Sequence, residues 1–307
     1  MTFLYKSDPE RGQVWARIFA ERMPDVRLHV WPDIGDPAQV RYLAAWEPPT
    51  DLSVFPNLEI VFGVGAGIDQ IDLTALPSGV RVVRMIEPGI GEGMIEYVTA
   101  SVLALHRDLP RYLRQQRERC WQPLPGKTAA QRRIGVLGAG ELGGAVLRHL
   151  RGYGFECAGW SRTPRWIEGI SSFVGHDGLS KLLARSDILV CLLPLTSATR
   201  GLLNKDLFAR LPRGAALVHV GRGAHLVTAD VLAALDHGQL SEAIIDVTEP
   251  EPLPADDPLW RHPRIWLTPH IASSTRADSS AQAVLENLRR HRAGEPLLGE
   301  IDRDRGY

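Results

Sequence analysis

Three segments of this 307-residue sequence end an apolar run on a side chain able to do chemistry. Leu217-Val-His-Val220-Gly221-Arg222-Gly223 sets an arginine between two glycines. Ile244-Ile-Asp246-Val247-Thr-Glu249-Pro-Glu251-Pro-Leu-Pro254 places carboxylates just after a strand-like run. Ile265-Trp-Leu-Thr268-Pro269-His270 does the same with an imidazole. A guanidinium grips anions through a planar fork, and an imidazole can move a proton near neutral pH. Taken singly, each has an ordinary reading: a solvated histidine, exposed loop acids, a surface ion pair. Together, in order, each at the carboxyl end of a strand where open α/β sheets bind ligands, they read as one site.

A fourth segment says what stands beside that site. Ile134-Gly-Val-Leu-Gly138-Ala-Gly140-Glu141-Leu142-Gly143-Gly144 is G-x-G-x-x-G directly after a strand and directly before a helix. The pattern is weak alone and strong in this context. Gly138 permits the tight turn, Gly140 lets the backbone approach a pyrophosphate, and Gly143 lets helix and strand pack closely. The N–H groups of Glu141, Leu142 and Gly143 open the helix and face the phosphates. The next strand ends Trp160-Ser161-Arg162-Thr163-Pro164-Arg165, without the acidic residue that accepts the ribose hydroxyls of NAD. Arg162 offers planar donors for a 2′-phosphate, and Ser161 and Thr163 add hydroxyls. This predicts NADPH in preference to NADH.

The elements that must position these residues repeat a strand–helix alternation twice. Phe3–Tyr5, Arg27–Val30, Arg41–Ala45, Leu58–Phe62 and Val80–Met85 read as strands, with helical spacing at Val14–Arg22. The spacing predicts one long helix over Glu96–Arg119. Six strand signals come between Ile134 and Leu267, with helices between them. The expected fold is α/β: two doubly wound parallel-sheet domains, a flavodoxin-like substrate domain of residues 1–98 plus 271–307 and a Rossmann cofactor domain of residues 99–270. A cleft between them, closing on the substrate, would exclude water. The apolar stretch Val98–Leu109 predicts a homodimer built on the cofactor domain.

Composition narrows the class. Lys plus Arg is 35 against 36 Asp plus Glu, a net charge of −1, so no global field favours nucleic acid or an acidic membrane. Three cysteines without paired spacing argue against a disulfide framework or a zinc site and predict a reducing, cytoplasmic setting. No apolar run has signal-peptide or membrane-helix length.

The sequence resembles the D-isomer-specific 2-hydroxyacid dehydrogenases. The resemblance rests on Gly138-Ala-Gly140-Glu-Leu-Gly143, Val220-Gly-Arg222-Gly223, Asp246-Val247 through Glu251-Pro252-Leu253, and Thr268-Pro269-His270. Within the family it looks closest to the glyoxylate/hydroxypyruvate reductase A branch, through Trp121-Gln-Pro-Leu-Pro125, Trp160-Ser-Arg-Thr163, Glu251-Pro-Leu-Pro254 and the terminal Ile301–Tyr307. That resemblance implies reduction of a small 2-keto acid. His270 is then the general acid, Glu251 its orienting partner, and Arg222 the clamp on the substrate carboxylate and carbonyl. It implies carboxylate binding by the N–H groups of Ala66 and Gly67, and a pocket wall in the loop Glu87–Met94, lined by Met94. Trp121 is carried to the substrate, across a dimer interface or within one subunit. Pro194, Thr199, Val220, Gly221 and Asp246 join the cofactor set, Asp246 beside the nicotinamide carboxamide. One departure stands out: Thr248 occupies a position where the family commonly has an aromatic, which predicts altered packing. Three competing readings are a dehydrogenase for another 2-keto acid, a non-catalytic dinucleotide sensor on the same scaffold, and an NAD-linked dehydrogenase working in the oxidative direction. Turnover separates the sensor from the enzymes, and the Ser161-Arg162-Thr163 strand end speaks against the third.

Overall fold

Short runs of β-branched and aromatic residues alternate with helices, several of which begin at glycine, proline or a capping acid. The computed structural model describes residues 1–303, so residues 304–307 of the terminal motif lie outside the described residues. In chain order, the first half forms β1 (Thr2–Lys6), α1 (Pro9–Arg22), β2 (Arg27–Val30), β3 (Val40–Ala45), β4 (Ile60–Gly63), β5 (Arg81–Val83), α2 (Pro88–His106) and α3 (Leu109–Arg117). Then come β6 (Arg133–Leu137), α4 (Glu141–Gly152), β7 (Glu156–Ser161), β8 (Ser171–Val174), α5 (Gly175–Arg185), β9 (Ile188–Cys191) and α6 (Lys205–Ala209). The last are β10 (Ala215–His219), α7 (Thr228–Asp236), β11 (Leu240–Ile245), β12 (Ile265–Leu267) and α8 (Ala277–Arg292). Two compact units result: Met1–Ile90 with the chain from Ser274 onward, and Gly91–Ser273. The divisions fall at 90/91 and 273/274, against 98/99 and 270/271 expected from the sequence pattern.

The first unit is a five-stranded sheet in the order β2-β1-β3-β4-β5, all parallel, which is the flavodoxin-like order. Asp8 caps α1, its carboxylate accepting from the N–H groups of Glu10 and Arg11, with Pro9 pre-set for the first turn. Trp15 and Phe19 of that helix are fully buried against Phe3 of β1, ring centroids 6.1 and 4.9 Å apart. Each such ring contributes about 1.5–3 kcal/mol by leaving water. Trp15 Nε1 also donates to Ser280 Oγ of α8 at 3.1 Å. The connections from β3 to β4 and β4 to β5 are turns, not the expected helices. Arg303 fastens one of them, donating to the carbonyls of Leu73, Leu76, Pro77, Ser78 and Val80.

The second unit is a seven-stranded parallel sheet in the order β12-β11-β10-β9-β6-β7-β8. Six of its strands match the sequence pattern. The seventh, β8, gives no such signal, because Ser171 and Ser172 make an exposed edge strand without an apolar run. The single helix expected over Glu96–Arg119 is two. Asp108 sits in the left-handed region at φ 54° and Pro110 opens α3, so the helical ladder stops between them. The first helix also starts earlier, at Pro88, because proline suits a first turn and the Glu87 carboxylate accepts from the Gly89 N–H at 2.8 Å. Val98, Val102 and Leu105 of α2 are buried in this unit's own core beside Val136, Val146 and Val190. Among the described residues no helix is long and apolar enough to cross a membrane.

Candidate active site

The carboxyl ends of β10, β11 and β12 carry the reactive residues, as parallel register requires. β11 pairs Ala243, Ile244 and Ile245 with Ile265, Trp266 and Leu267 of β12, so Asp246 and Thr268 leave the sheet side by side. Asp246 is 1% exposed, and its carboxylate organises the turn after β12. Oδ1 accepts from Thr268 Oγ1 at 2.5 Å and from the Ile271 N–H at 2.9 Å, and Oδ2 accepts from the Ala272 N–H at 2.8 Å. The Asp246 carbonyl accepts from the His270 N–H, also at 2.8 Å. His270 is thereby held at φ 54°, a left-handed conformation rare outside glycine. That conformation costs about 1–3 kcal/mol. Hydrogen bonds to a charged group contribute roughly 1.5–3 kcal/mol each, so the set around Asp246 outweighs the strain.

The turn points the His270 ring at Glu251. His270 Nδ1 lies 2.7 Å from Glu251 Oε2, both side chains about one-third exposed. The other oxygen, Oε1, accepts from the Thr248 N–H at 3.0 Å, which fixes the carboxylate plane. Thr248 Oγ1 donates to the Pro250 carbonyl, so at the position where the family commonly has an aromatic the threonine bonds within its own turn. Glu249, the other acid of the segment, pairs with Arg200 at 3.1 Å instead. Arg222 is half-buried after β10, with Nη1 donating to the Gly221 carbonyl at 2.9 Å. Gly223 lets the Arg222 turn approach the Glu251 turn. A Cβ there would lie 2.0 Å from the Thr248 carbonyl carbon.

Sequence reasoning missed one member. Tyr97 of α2 puts its hydroxyl 2.5 Å from Thr268 Oγ1. The Thr268 hydrogen goes to Asp246, so Tyr97 is the donor in that pair. Burial raises the Tyr97 pKa above the usual phenol value. A tyrosine inside an otherwise apolar helical stripe was the available signal.

The glycine loop has the shape the motif predicts. Gly138 adopts φ 98° with the Leu192 carbonyl oxygen 2.7 Å from where a Cβ would be, and a Cβ on Gly143 would meet the Gly138 carbonyl oxygen at 2.1 Å. The helix α4 starts at Glu141 without a side-chain cap, and Leu142 and Gly143 come next. A Cβ on Gly140 meets nothing within 4 Å. These residues therefore fit a pyrophosphate, which needs open backbone at a helix start. At the end of β7, Arg162 and Thr163 are exposed, while Ser161 is buried and donates to the Thr163 carbonyl at 2.7 Å. Ser161 shapes the turn, and Arg162 and Thr163 are the side chains that this strand end exposes. Thr199 Oγ1 donates to the Pro194 carbonyl at 2.8 Å and closes the loop after β9.

Other predicted residues are placed differently. Glu87–Met94 runs into the first turns of α2 rather than forming a loop throughout, and Met94 is buried in the apolar cluster with Val98 and Ala272. Trp121 is fully exposed, so none of the described residues of its own chain packs on it. In the first unit Ala66 and Gly67 are half-buried after β4, and among the described residues no backbone carbonyl accepts from their N–H groups.

An acid–histidine pair, an arginine and an uncapped glycine-rich helix start on one parallel sheet define a dinucleotide-dependent oxidoreductase. The profile of the D-isomer specific 2-hydroxyacid dehydrogenase NAD binding domain matches residues 99–272. Glyoxylate/hydroxypyruvate reductase A of Salmonella newport is 37% identical over 299 residues, 95% of this chain and 96% of that protein. A D-isomer specific 2-hydroxyacid dehydrogenase of Xanthobacter autotrophicus Py2, solved with NADPH and MES, superposes with a TM-score of 0.94 at 41% identity, covering 100% and 99% of the two chains. The NADPH-dependent glyoxylate/hydroxypyruvate reductase of Sinorhizobium meliloti, solved with NADP and sulfate, gives 0.92 at 34% identity, covering 100% and 99%. The chain belongs to the D-isomer-specific 2-hydroxyacid dehydrogenase family.

Proposed function

We propose that this enzyme reduces small 2-keto acids with NADPH, glyoxylate to glycolate and hydroxypyruvate to glycerate. The observation that carries the chemistry is the 2.7 Å pair between His270 Nδ1 and Glu251. With Nδ1 given to the carboxylate, proton donation falls to Nε2. The glycine loop would hold a dinucleotide whose nicotinamide would supply the hydride to the carbonyl carbon. His270 gives its proton to the carbonyl oxygen, leaving a hydroxyl, and takes another from solvent afterwards. Arg222 grips the substrate carboxylate and polarises the carbonyl, with the N–H groups of Ala66 and Gly67 as further carboxylate donors. The Asp246 carboxylate has three of its roughly four acceptor positions filled, which leaves one for the carboxamide. The chain's likeness to glyoxylate/hydroxypyruvate reductases, together with the branch motifs, supports these two substrates. Loss of reduced-nicotinamide absorbance on adding glyoxylate or hydroxypyruvate tests the reading, and absence of turnover with both sinks it.

Arg162 underlies the cofactor preference. Replacing it with Ala should raise the KM for NADPH by ~10- to 100-fold, the range of a charge-assisted bond to phosphate, and leave the KM for NADH as it was. Equal efficiency of the two cofactors in the parent enzyme would reject the assignment.

We also propose a homodimer, on grounds that the fold has shifted. The apolar stripe of α2 is consumed by its own core, but Leu109, Tyr112 and Leu113 of α3 are exposed alongside Trp121. Clustered aromatic and aliphatic side chains at a surface mark an interface, and a second copy is what could bring Trp121 to a substrate. Light scattering should give twice the 33.9 kDa chain mass; a monomer would reject it. The three cysteines are all free, in keeping with a reducing, cytoplasmic setting.

A further inference from the structure

Two histidines with no part in the proton transfer lie directly behind Arg222. His219 ends β10 and His225 sits in the turn after Gly223, and neither exposes any surface. The Arg222 N–H donates to His225 Nδ1 at 3.0 Å. That nitrogen therefore carries no hydrogen, and His225 Nε2–H donates to the Pro194 carbonyl at 3.2 Å. On the other side, His219 Nε2–H donates to the Arg222 carbonyl at 2.9 Å. Burial holds His219 neutral, pushing its pKa down to about 3. Both backbone polar groups of Arg222 thus meet an imidazole, and the carbonyl also accepts from the His225 N–H at 2.9 Å.

The grouping also has the outline of a metal cage, since Cys191, His219 and His225 offer ligand atoms within 4.8 Å of one another. The hydrogen bonds argue against that use. Both nitrogens of His225 and one of His219 are engaged by backbone groups, leaving only His219 Nδ1 without a partner. The Cys191 thiol is pushed up to about 12 by burial, which keeps it protonated and a poor ligand.

The neighbours of Arg222 explain why it needs the imidazoles. Glycine on both sides leaves a chain with many accessible conformations. The glycines are required because His225 Nδ1 lies 2.9 Å from where a Cβ of Gly221 would be, and the Thr248 backbone fills the place of one on Gly223. Order must then come from elsewhere, and the two imidazole bonds supply it together with the turn bond from the His225 N–H. The Pro194 carbonyl that accepts from His225 also accepts from Thr199, so the loop assigned to the cofactor and the turn carrying the substrate clamp are hydrogen-bonded together.

We propose that His225 and His219 are positioning residues that set the Arg222 guanidinium for capture of the substrate carboxylate. The inference rests on the reading of Arg222 as that clamp. Two variants of His225 separate its bonds. In His225→Asn the amide oxygen takes the place of Nδ1 and still accepts from Arg222, while the reach to Pro194 is lost. In His225→Gln the amide nitrogen still reaches Pro194, but nothing accepts from Arg222. The keto-acid KM should stay within about threefold of the parent in the Asn variant and rise about tenfold or more in the Gln variant, the scale of one lost buried hydrogen bond. NADPH affinity, read by nicotinamide fluorescence, should be the same in both. Equal KM values for the two variants would overturn the proposal, and so would a loss of NADPH affinity in step with the KM, which marks a merely structural role. Should either variant fail to fold, His219→Gln, which keeps the Nε2-type donor, against His219→Asn, which does not, makes the same comparison from the other side of Arg222. An Arg222→Lys control distinguishes the two claims. If it leaves the keto-acid KM unchanged, the clamp reading itself fails; if it raises the KM while His225→Gln does not, only the positioning role fails.

Discussion

His270→Asn should lower kcat for keto-acid reduction by about 10²–10⁴-fold, the usual contribution of a positioned acid, with NADPH binding unchanged. Asparagine is the informative replacement because of the backbone. At φ 54° most residues are strained, whereas asparagine visits the left-handed region readily. Its N–H can still donate to the Asp246 carbonyl, so the Ile271 and Ala272 bonds to the Asp246 carboxylate should survive. Its amide can also face Glu251, but it has no proton to give. The variant therefore removes the chemistry and leaves the architecture. Reduction at more than a tenth of the parent rate would take the acid role away from His270.

Gly223→Ala should be nearly as damaging for a different reason. The added methyl would overlap the Thr248 carbonyl carbon and oxygen, both 2.0 Å from its position, and approach the Glu249 nitrogen at 2.5 Å. All three are backbone atoms, which cannot swing aside as a flexible side chain can. Either the turn carrying Arg222 or the turn carrying Glu251 must move by more than an ångström. A displacement of that size costs on the order of 10²-fold in rate, and overpacking of this kind destabilises a fold by roughly 1–3 kcal/mol. The expected result is a loss of kcat/KM of about 10²-fold or more with a lowered Tm. Parent-like kinetics would show that the two turns do not depend on each other.

Much of this was legible in the sequence because it depends on local pattern. The glycine loop between β6 and α4, the arginine flanked by glycines and the Thr268-Pro269-His270 turn each sit where a strand run stops. Parallel pairing then brings such strand ends together whatever lies between them. What escaped is what tertiary contact decides. Met94 reads as part of a loop because Gly89, Gly91 and Gly93 conceal a helix that Pro88 and Glu87 initiate. β8 escaped because an edge strand need not be apolar. The type of Ser161 does not tell that its hydroxyl donates to the Thr163 carbonyl. Tyr97 and Thr268 act through a chain of two hydrogen bonds to Asp246, across 171 residues of sequence. No spacing rule encodes a link of that length.

The most direct test is the rate of NADPH oxidation with glyoxylate, hydroxypyruvate, pyruvate and phenylpyruvate, each repeated with NADH. The expected result is rapid loss of reduced-nicotinamide absorbance with the first two acids and NADPH, and slower loss with the bulky acid or with NADH. Turnover confined to phenylpyruvate would contradict the small-substrate claim. No turnover with any acid, despite tight NADPH binding, would contradict the catalytic reading and leave a dinucleotide-sensing protein.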